Sequence, residues 1–178
     1  MNTSYIETNH NCTLPDQYKR SHIPMIWGHK ALLNMNVSVE APYILGFNEP
    51  NHFEQSNLTA QQAALYWREL EAKSHGRPLV SPAASRCTKA VGCHGDYIEW
   101  FDQFFLHCQG CRVDYLATHL YTCHPGTVMN DLEQLYQRYG LKIWLTEFAC
   151  SYSTSTTEEL KYMKEILPRL ETADFVLR

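Results

Sequence analysis

Short apolar runs rich in β-branched and aromatic residues recur along this chain, and they limit what it can fold into. The runs are Ile23–Trp27, Tyr43–Phe47, Pro78–Ser81, Val113–Thr118, Lys142–Thr146 and Phe175–Arg178. Each is too short for a typical helix and apolar at most positions, the pattern of a strand buried on both faces. Amphipathic helical stretches lie between most of them. Thr59 and Gln62 stand in capping-box register ahead of a stripe of Ala63, Tyr66, Trp67 and Leu70, ended near Gly76. Tyr97, Trp100, Phe101, Phe104 and Phe105 form a second stripe at helical spacing, and Leu132, Leu135, Tyr136 and Tyr139 a third before Gly140. The last helix opens near Ser155, with Glu158 in capping-box register, and Pro168 is expected to stop it.

From Tyr43 onward the runs follow one another at about 28 to 36 residues, the length of a βα unit. Repeated βα units imply parallel strands, in an open doubly wound sheet or a closed (β/α)8 barrel. No glycine-rich phosphate loop follows any run, which takes support from the dinucleotide-binding open sheet. In a barrel, functional residues gather at the C-terminal strand ends. Trp27, Asn48, Glu49, Ser81, His119, Tyr121, Glu147 and Phe148 all fall at such ends, so the expected fold class is α/β of the (β/α)8 TIM-barrel type.

Glu49 and Glu147, 98 positions apart, are the chemically informative pair. An ionised carboxylate at the end of a buried strand costs stability unless it is solvated or paired. Taken singly, either could be a loop or surface charge. Two at matching strand ends point to glycosidic bond cleavage. There one carboxyl group protonates the leaving oxygen and the other attacks the anomeric carbon, about 5 to 5.5 Å away in enzymes that retain configuration. Asn48 is placed to hydrogen-bond the 2-hydroxyl of the reacting sugar, or simply to cap its loop. His119 and Tyr121 alternate at a strand end, so both can face the barrel mouth and orient the second glutamate or bind a hydroxyl. Trp27 is a candidate sugar platform, Phe148 a candidate substrate contact beside Glu147, and Trp144, inside its run, is expected to be core. Glu54, Asp96, Glu99 and Asp102 fall in loops or on helices and read as solvated charges.

The run Gly46–Asn51 (GFNEPN), then Leu79–Ala83 (LVSPA), Val113–Tyr121 (VDYLATHLY) and Ile143–Cys150 (IWLTEFAC), resemble together and in order the catalytic domain of glycoside hydrolase family 128. That family is a clan A barrel group acting on β-1,3-glucans, and the resemblance spans roughly Ile23 to Arg178. It implies Glu49, after strand 4, as acid/base and Glu147, after strand 7, as nucleophile. It also implies that the six runs are strands 3 to 8. A complete barrel takes about 250 residues. The expectation is therefore an incomplete barrel over residues 23–178, without the first two βα units, preceded by a polar segment over residues 1–22. Strands 3 and 8 would then be open edges, completed by another segment or by a second copy in a homo-oligomer.

The function this implies is a retaining, endo-β-1,3-glucanase-like hydrolase acting on β-glucan without metal or organic cofactor. The alternative is a non-catalytic β-glucan-binding protein derived from such a hydrolase. A weaker third reading is another clan A activity, such as a xylosidase or mannanase.

Composition narrows partners and compartment. With 15 basic and 19 acidic residues spread along the chain, no basic patch addresses nucleic acid or an anionic membrane. No apolar run approaches the roughly 18 to 20 residues of a spanning helix, and Met1–Glu7 is polar rather than signal-like. Four N-x-S/T sequons, at Asn2, Asn11, Asn36 and Asn57, point to the secretory pathway or the extracellular space. So do seven cysteines. Cys108 and Cys111 lack a second CxxC at zinc-ribbon spacing, so disulfides are expected in place of a metal: Cys87–Cys93, Cys108–Cys111 and Cys123–Cys150.

Overall fold

Every one of the six apolar runs enters a parallel pairing. The computed structural model describes residues 22–37, 41–87 and 92–178. Residues 1–21 of the expected polar segment, with the sequons at Asn2 and Asn11 and with Cys12, lie outside the described residues. In chain order the elements are α1 (His29–Leu33), β1 (Ile44–Leu45), α2 (Ala60–Lys73), β2 (Leu79–Val80), β3 (Ala84–Ser85), α3 (Tyr97–His107), β4 (Leu116–Tyr121), α4 (Pro125–Tyr139), β5 (Ile143–Ala149) and α5 (Thr156–Thr172). Met25 pairs with Leu45, β1 with β2, Val80 with Tyr115, β3 with β4, β4 with β5, and Ile143 with Val176, all parallel. Neighbours in space are therefore neighbours in sequence, the order that βα repeats give. The run from Leu79 to Ser85 is split at Pro82, whose ring nitrogen has no proton to give a ladder.

The alternation of side chains along these strands makes two apolar layers. The inner one gathers Ile23, Met25, Leu45, Val80, Ala83, Ala117 and Trp144, with Trp27, Tyr43 and Tyr115 against them. The larger one lies between strands and helices, where Ile44, Phe47, Leu79, Leu116, Leu120 and Ile143 meet Trp67, Leu70, Phe101, Phe104, Leu132 and Ile166. Trp67 is fully buried and its indole N–H donates to the Arg112 carbonyl at 3.0 Å. Gly46 is the tight point between the layers. A Cβ there would stand 2.7 Å from the Pro82 nitrogen, 2.8 Å from the Ser81 carbonyl carbon and 2.7 Å from the Trp67 ring. Backbone cannot yield as a flexible side chain can. Gly46→Ala is accordingly expected to destabilise the fold by about 1–3 kcal/mol, read as a lowered midpoint in thermal or denaturant unfolding.

Local chemistry sets the helix ends. Thr59 and Gln62 form the reciprocal capping box, and Gly140 closes α4 in the left-handed region at φ 69°. Three expectations need correction. Helix α5 runs through Pro168 to Thr172, because Tyr162, Ile166 and Leu170 hold one face of it against the core across that residue. Asp96 is the N-cap of α3, accepting from the Ile98 N–H at 2.9 Å. Asp102 takes a two-pronged contact from Arg138 at 2.7 and 2.6 Å and a third from the Tyr139 hydroxyl at 2.9 Å, so it ties α3 to α4. Disulfides Cys87–Cys93, Cys108–Cys111 and Cys123–Cys150 are all formed, the last joining the chain beyond β4 to that beyond β5.

Candidate active site

Glu49 stands where the chain leaves β1 and turns back. Beyond Leu45 the backbone runs on beside the neighbouring segment: Gly46 N–H donates to Val80, Ala83 N–H to Phe47, and Glu49 N–H to the Ala83 carbonyl. At Glu49 φ is +37°, a left-handed conformation that costs a non-glycine residue on the order of 1 kcal/mol or more. Several contacts hold it there. The Glu49 carbonyl accepts from His52, the Asn48 carbonyl from Ser56 and the Pro50 carbonyl from Leu58. Fully buried Asn51 fastens the turn to β3, its Oδ1 accepting from Ser85 N–H at 3.0 Å and its Nδ2 donating to the Ser85 carbonyl at 2.8 Å. Sequence reasoning missed Asn51. In the sequence it shows only as the last residue of the Gly46–Asn51 run, with no role of its own.

Glu147 reaches the same place through an irregularity in β5. Thr118 pairs with Leu145 but His119 pairs with Glu147, so Thr146 is an extra residue and the register shifts by one. Without it, strict alternation from the inward Trp144 would send Glu147 to the helix side. With it, Glu147 lies beside His119 on the face that carries Ala117 and Trp144, and Phe148 turns to the helix-side core. The expectation that Phe148 contacts substrate beside Glu147 is corrected by that turn.

The groups brought together are Glu49, His119, Tyr121 and Glu147. His119 is fully buried, with Nδ1 2.8 Å from Glu49 Oε1 and 3.5 Å from Glu147 Oε2. The nearest polar atoms of the two glutamates and the histidine all lie within 4.8 Å of one another. Tyr121 donates its hydroxyl to Glu147 Oε2 at 2.6 Å. Burial first, then the hydrogen bond to Glu147 and the negative charges of Glu147 and Glu49, hold the Tyr121 proton well above the usual phenol range. Tyr121 is thus a fixed donor at any working pH. The two carboxylates and the imidazole are suitable donor types for a divalent cation, but the histidine nitrogen facing the carboxylates is already at hydrogen-bond distance from Glu49. The set can therefore act as a carboxylate pair gathered around one imidazole nitrogen.

Asn48 is buried beside the pair. Its Nδ2 donates to Gln55 Oε1 at 3.1 Å, and its buried Oδ1 has no partner among the described residues. The Trp27 carbonyl accepts from the Asn48 N–H at 2.9 Å, and the Trp27 side chain, half-buried, packs at the rim of the inner layer. Trp144 is core, as expected, in edge contact with Tyr43 at 5.0 Å between ring centroids.

Comparison with known proteins gives one consistent answer. A family model for the glycosyl hydrolase catalytic core matches residues 4–178. Among solved structures, a GH128 (subgroup II) endo-β-1,3-glucanase from Sorangium cellulosum is 32% identical, with a TM-score of 0.80 over 91% of this chain and 70% of its own. A GH128 (subgroup I) endo-β-1,3-glucanase from Amycolatopsis mediterranei, in complex with laminaritriose, is 25% identical, with a TM-score of 0.72 over 94% and 73%. Alkali-sensitive linkage protein 1 of Schizosaccharomyces pombe is 29% identical over 126 residues, which is 70% of this chain and 23% of that protein. This chain thus spans about a quarter of the length of that curated relative.

Proposed function

The chain belongs to the glycosyl hydrolase catalytic core family, in its glycoside hydrolase family 128 branch, and on that premise we propose that it is a retaining, endo-acting β-1,3-glucan hydrolase. Glu49 is the acid/base and Glu147 the nucleophile. The observation that carries this reading is the spacing of the pair. Carboxylate oxygens within 4.8 Å fit the short separation of retaining enzymes, in which one carboxylate attacks the sugar itself, and fall short of the roughly 6.5–9.5 Å that inverting enzymes keep for a water.

In the first step a Glu147 oxygen bonds to the anomeric carbon, the glycosidic C–O bond breaks, and Glu49 gives its proton to the departing oxygen. In the second a water bonds to the anomeric carbon, Glu49 takes its proton, and the Glu147–sugar bond breaks. His119 holds Glu49 and lies within reach of Glu147, which keeps the two carboxyls in register. Asn48 Oδ1, buried and unpaired, would be satisfied by a sugar hydroxyl. Trp27 supplies an aromatic surface at the neighbouring strand end. Tyr121 fixes the attacking carboxylate. Tyr121→Phe removes one charge-assisted bond, and a loss of about 1.5–3 kcal/mol predicts roughly 10- to 100-fold lower kcat, measured on laminarin.

The parallel array in chain order, with the site at its C-terminal end, supports reading it as strands 3 to 8 of a (β/α)8 barrel. Three disulfides support an oxidising, secretory destination, and no helix among the described residues is long and apolar enough to cross a membrane. The experiment is release of reducing ends from laminarin, xylan and mannan by the purified chain. Release from laminarin alone is expected. Binding of laminarin without release from any of the three would select a glucan-binding protein instead.

A further inference from the structure

Among the described residues, the exposed aromatic side chains are Phe53, Tyr121, Tyr136 and Tyr152. Three have partners. Tyr121 gives its hydroxyl to Glu147, Tyr136 stacks on Phe175 at 5.8 Å between centroids, and Phe53 meets His94 edge-on at 4.7 Å. Tyr152, at 84% the most exposed, touches no ring and makes no hydrogen bond among the described residues. Its loop is nonetheless held firmly. Cys150 is bonded to Cys123 and its N–H donates to Glu159, Ser153 N–H donates to the Cys150 carbonyl at 3.0 Å, and Ser153 Oγ donates to the Ser155 carbonyl at 2.8 Å. Ser151 Oγ donates at 3.2 Å to the carbonyl of Tyr121, the residue whose hydroxyl holds Glu147. A bare ring is thus mounted on a braced loop five residues beyond the proposed nucleophile.

We propose that Tyr152 is a sugar-stacking platform that binds a glucosyl unit away from the cleaved bond and makes the site selective for longer glucan chains. The inference rests on the glucan reading above and adds a residue to it. A β-linked glucose carries its hydroxyls equatorially, so its faces present axial C–H groups suited to the electron-rich face of an aromatic ring. Tyrosine offers that face at small entropic cost, and a braced loop reduces the cost further. The loop is tied through Ser151 to Tyr121, which itself holds Glu147, so the platform stands on a segment joined to the site.

Calorimetric titration separates this from the glucan reading if it is done in the Glu147→Gln background, where binding is measured without turnover. Adding Tyr152→Ala is expected to weaken laminarihexaose about tenfold and laminaribiose less than about twofold, while Tyr152→Trp retains hexaose affinity. Tyr136→Ala, removing an exposed aromatic on α4 whose ring stacks on Phe175, is the control and should leave hexaose affinity as it is. If Tyr152→Ala leaves hexaose affinity unchanged, or weakens both sugars equally, the platform is overturned and the glucan reading stands. If Glu147→Gln alone binds no laminari-oligosaccharide, the glucan reading falls and the platform with it.

Discussion

Glu147→Gln is expected to lose at least about 10⁴-fold of laminarin turnover, roughly 5 kcal/mol of transition-state stabilisation, while laminari-oligosaccharides still bind. The substitution is close to isosteric. Its amide oxygen can still accept from the Tyr121 hydroxyl, now 2.6 Å from Oε2, so the mouth of the site keeps its shape. What disappears is the negative charge that attacks the anomeric carbon, and Glu49 cannot replace it, because in this mechanism it carries the proton for the leaving oxygen. The Glu147 side chain is 39% exposed and supports no core layer, so unfolding midpoints should shift by no more than about 0.5 kcal/mol allows. Reducing-end assays alongside thermal unfolding check both halves. Turnover near the wild-type level in a folded protein would remove Glu147 from the role of nucleophile.

Glu49→Gln should fail differently. Loss of general acid assistance is worth about 10²- to 10⁴-fold on the natural glycosidic bond, whose leaving alcohol needs a proton. It should matter far less for a dinitrophenyl laminari-oligosaccharide, whose leaving group departs as an anion without one. With such a substrate the glycosyl-enzyme forms quickly and then waits for a base, so a burst of dinitrophenol is expected, followed by slow turnover that added azide accelerates. Glu147→Gln should show neither burst nor acceleration. The contrast depends on the two carboxylates having different jobs, and equal losses on both substrate types in both variants would contradict that assignment.

Much of this was legible in the chain, for physical reasons that also mark where legibility ends. Strands buried on both faces must be apolar at nearly every position, so Tyr43–Phe47 and Lys142–Thr146 stand out as runs, and their spacing sets the parallel order. His119 and Tyr121 share a face because side chains alternate along a strand, and both do meet the glutamates. The Cys123–Cys150 bond follows from two neighbouring strand ends. The facing of Phe148 is not legible because a bulge leaves no mark in an apolar run: Thr146 looks like any strand threonine, yet its insertion decides which of Glu147 and Phe148 faces the site. Pro168 signals a stop because propensity is local, whereas the packing of Ile166 and Leu170 that carries the helix past it is tertiary. Asn51 and Tyr152 carry no mark of their roles for a similar reason. An asparagine that braces a turn and a tyrosine left bare on a pinned loop are distinguished only by their surroundings.

The central claim, that Glu147 attacks the sugar directly across a short carboxylate separation, is tested most directly by the anomer first released. Proton NMR of laminarihexaose during the opening minutes of hydrolysis, before mutarotation mixes the forms, is predicted to show new reducing ends in the β configuration, with α appearing only later. New reducing ends that appear first as α would mean that water attacks in a single displacement, and would contradict the account.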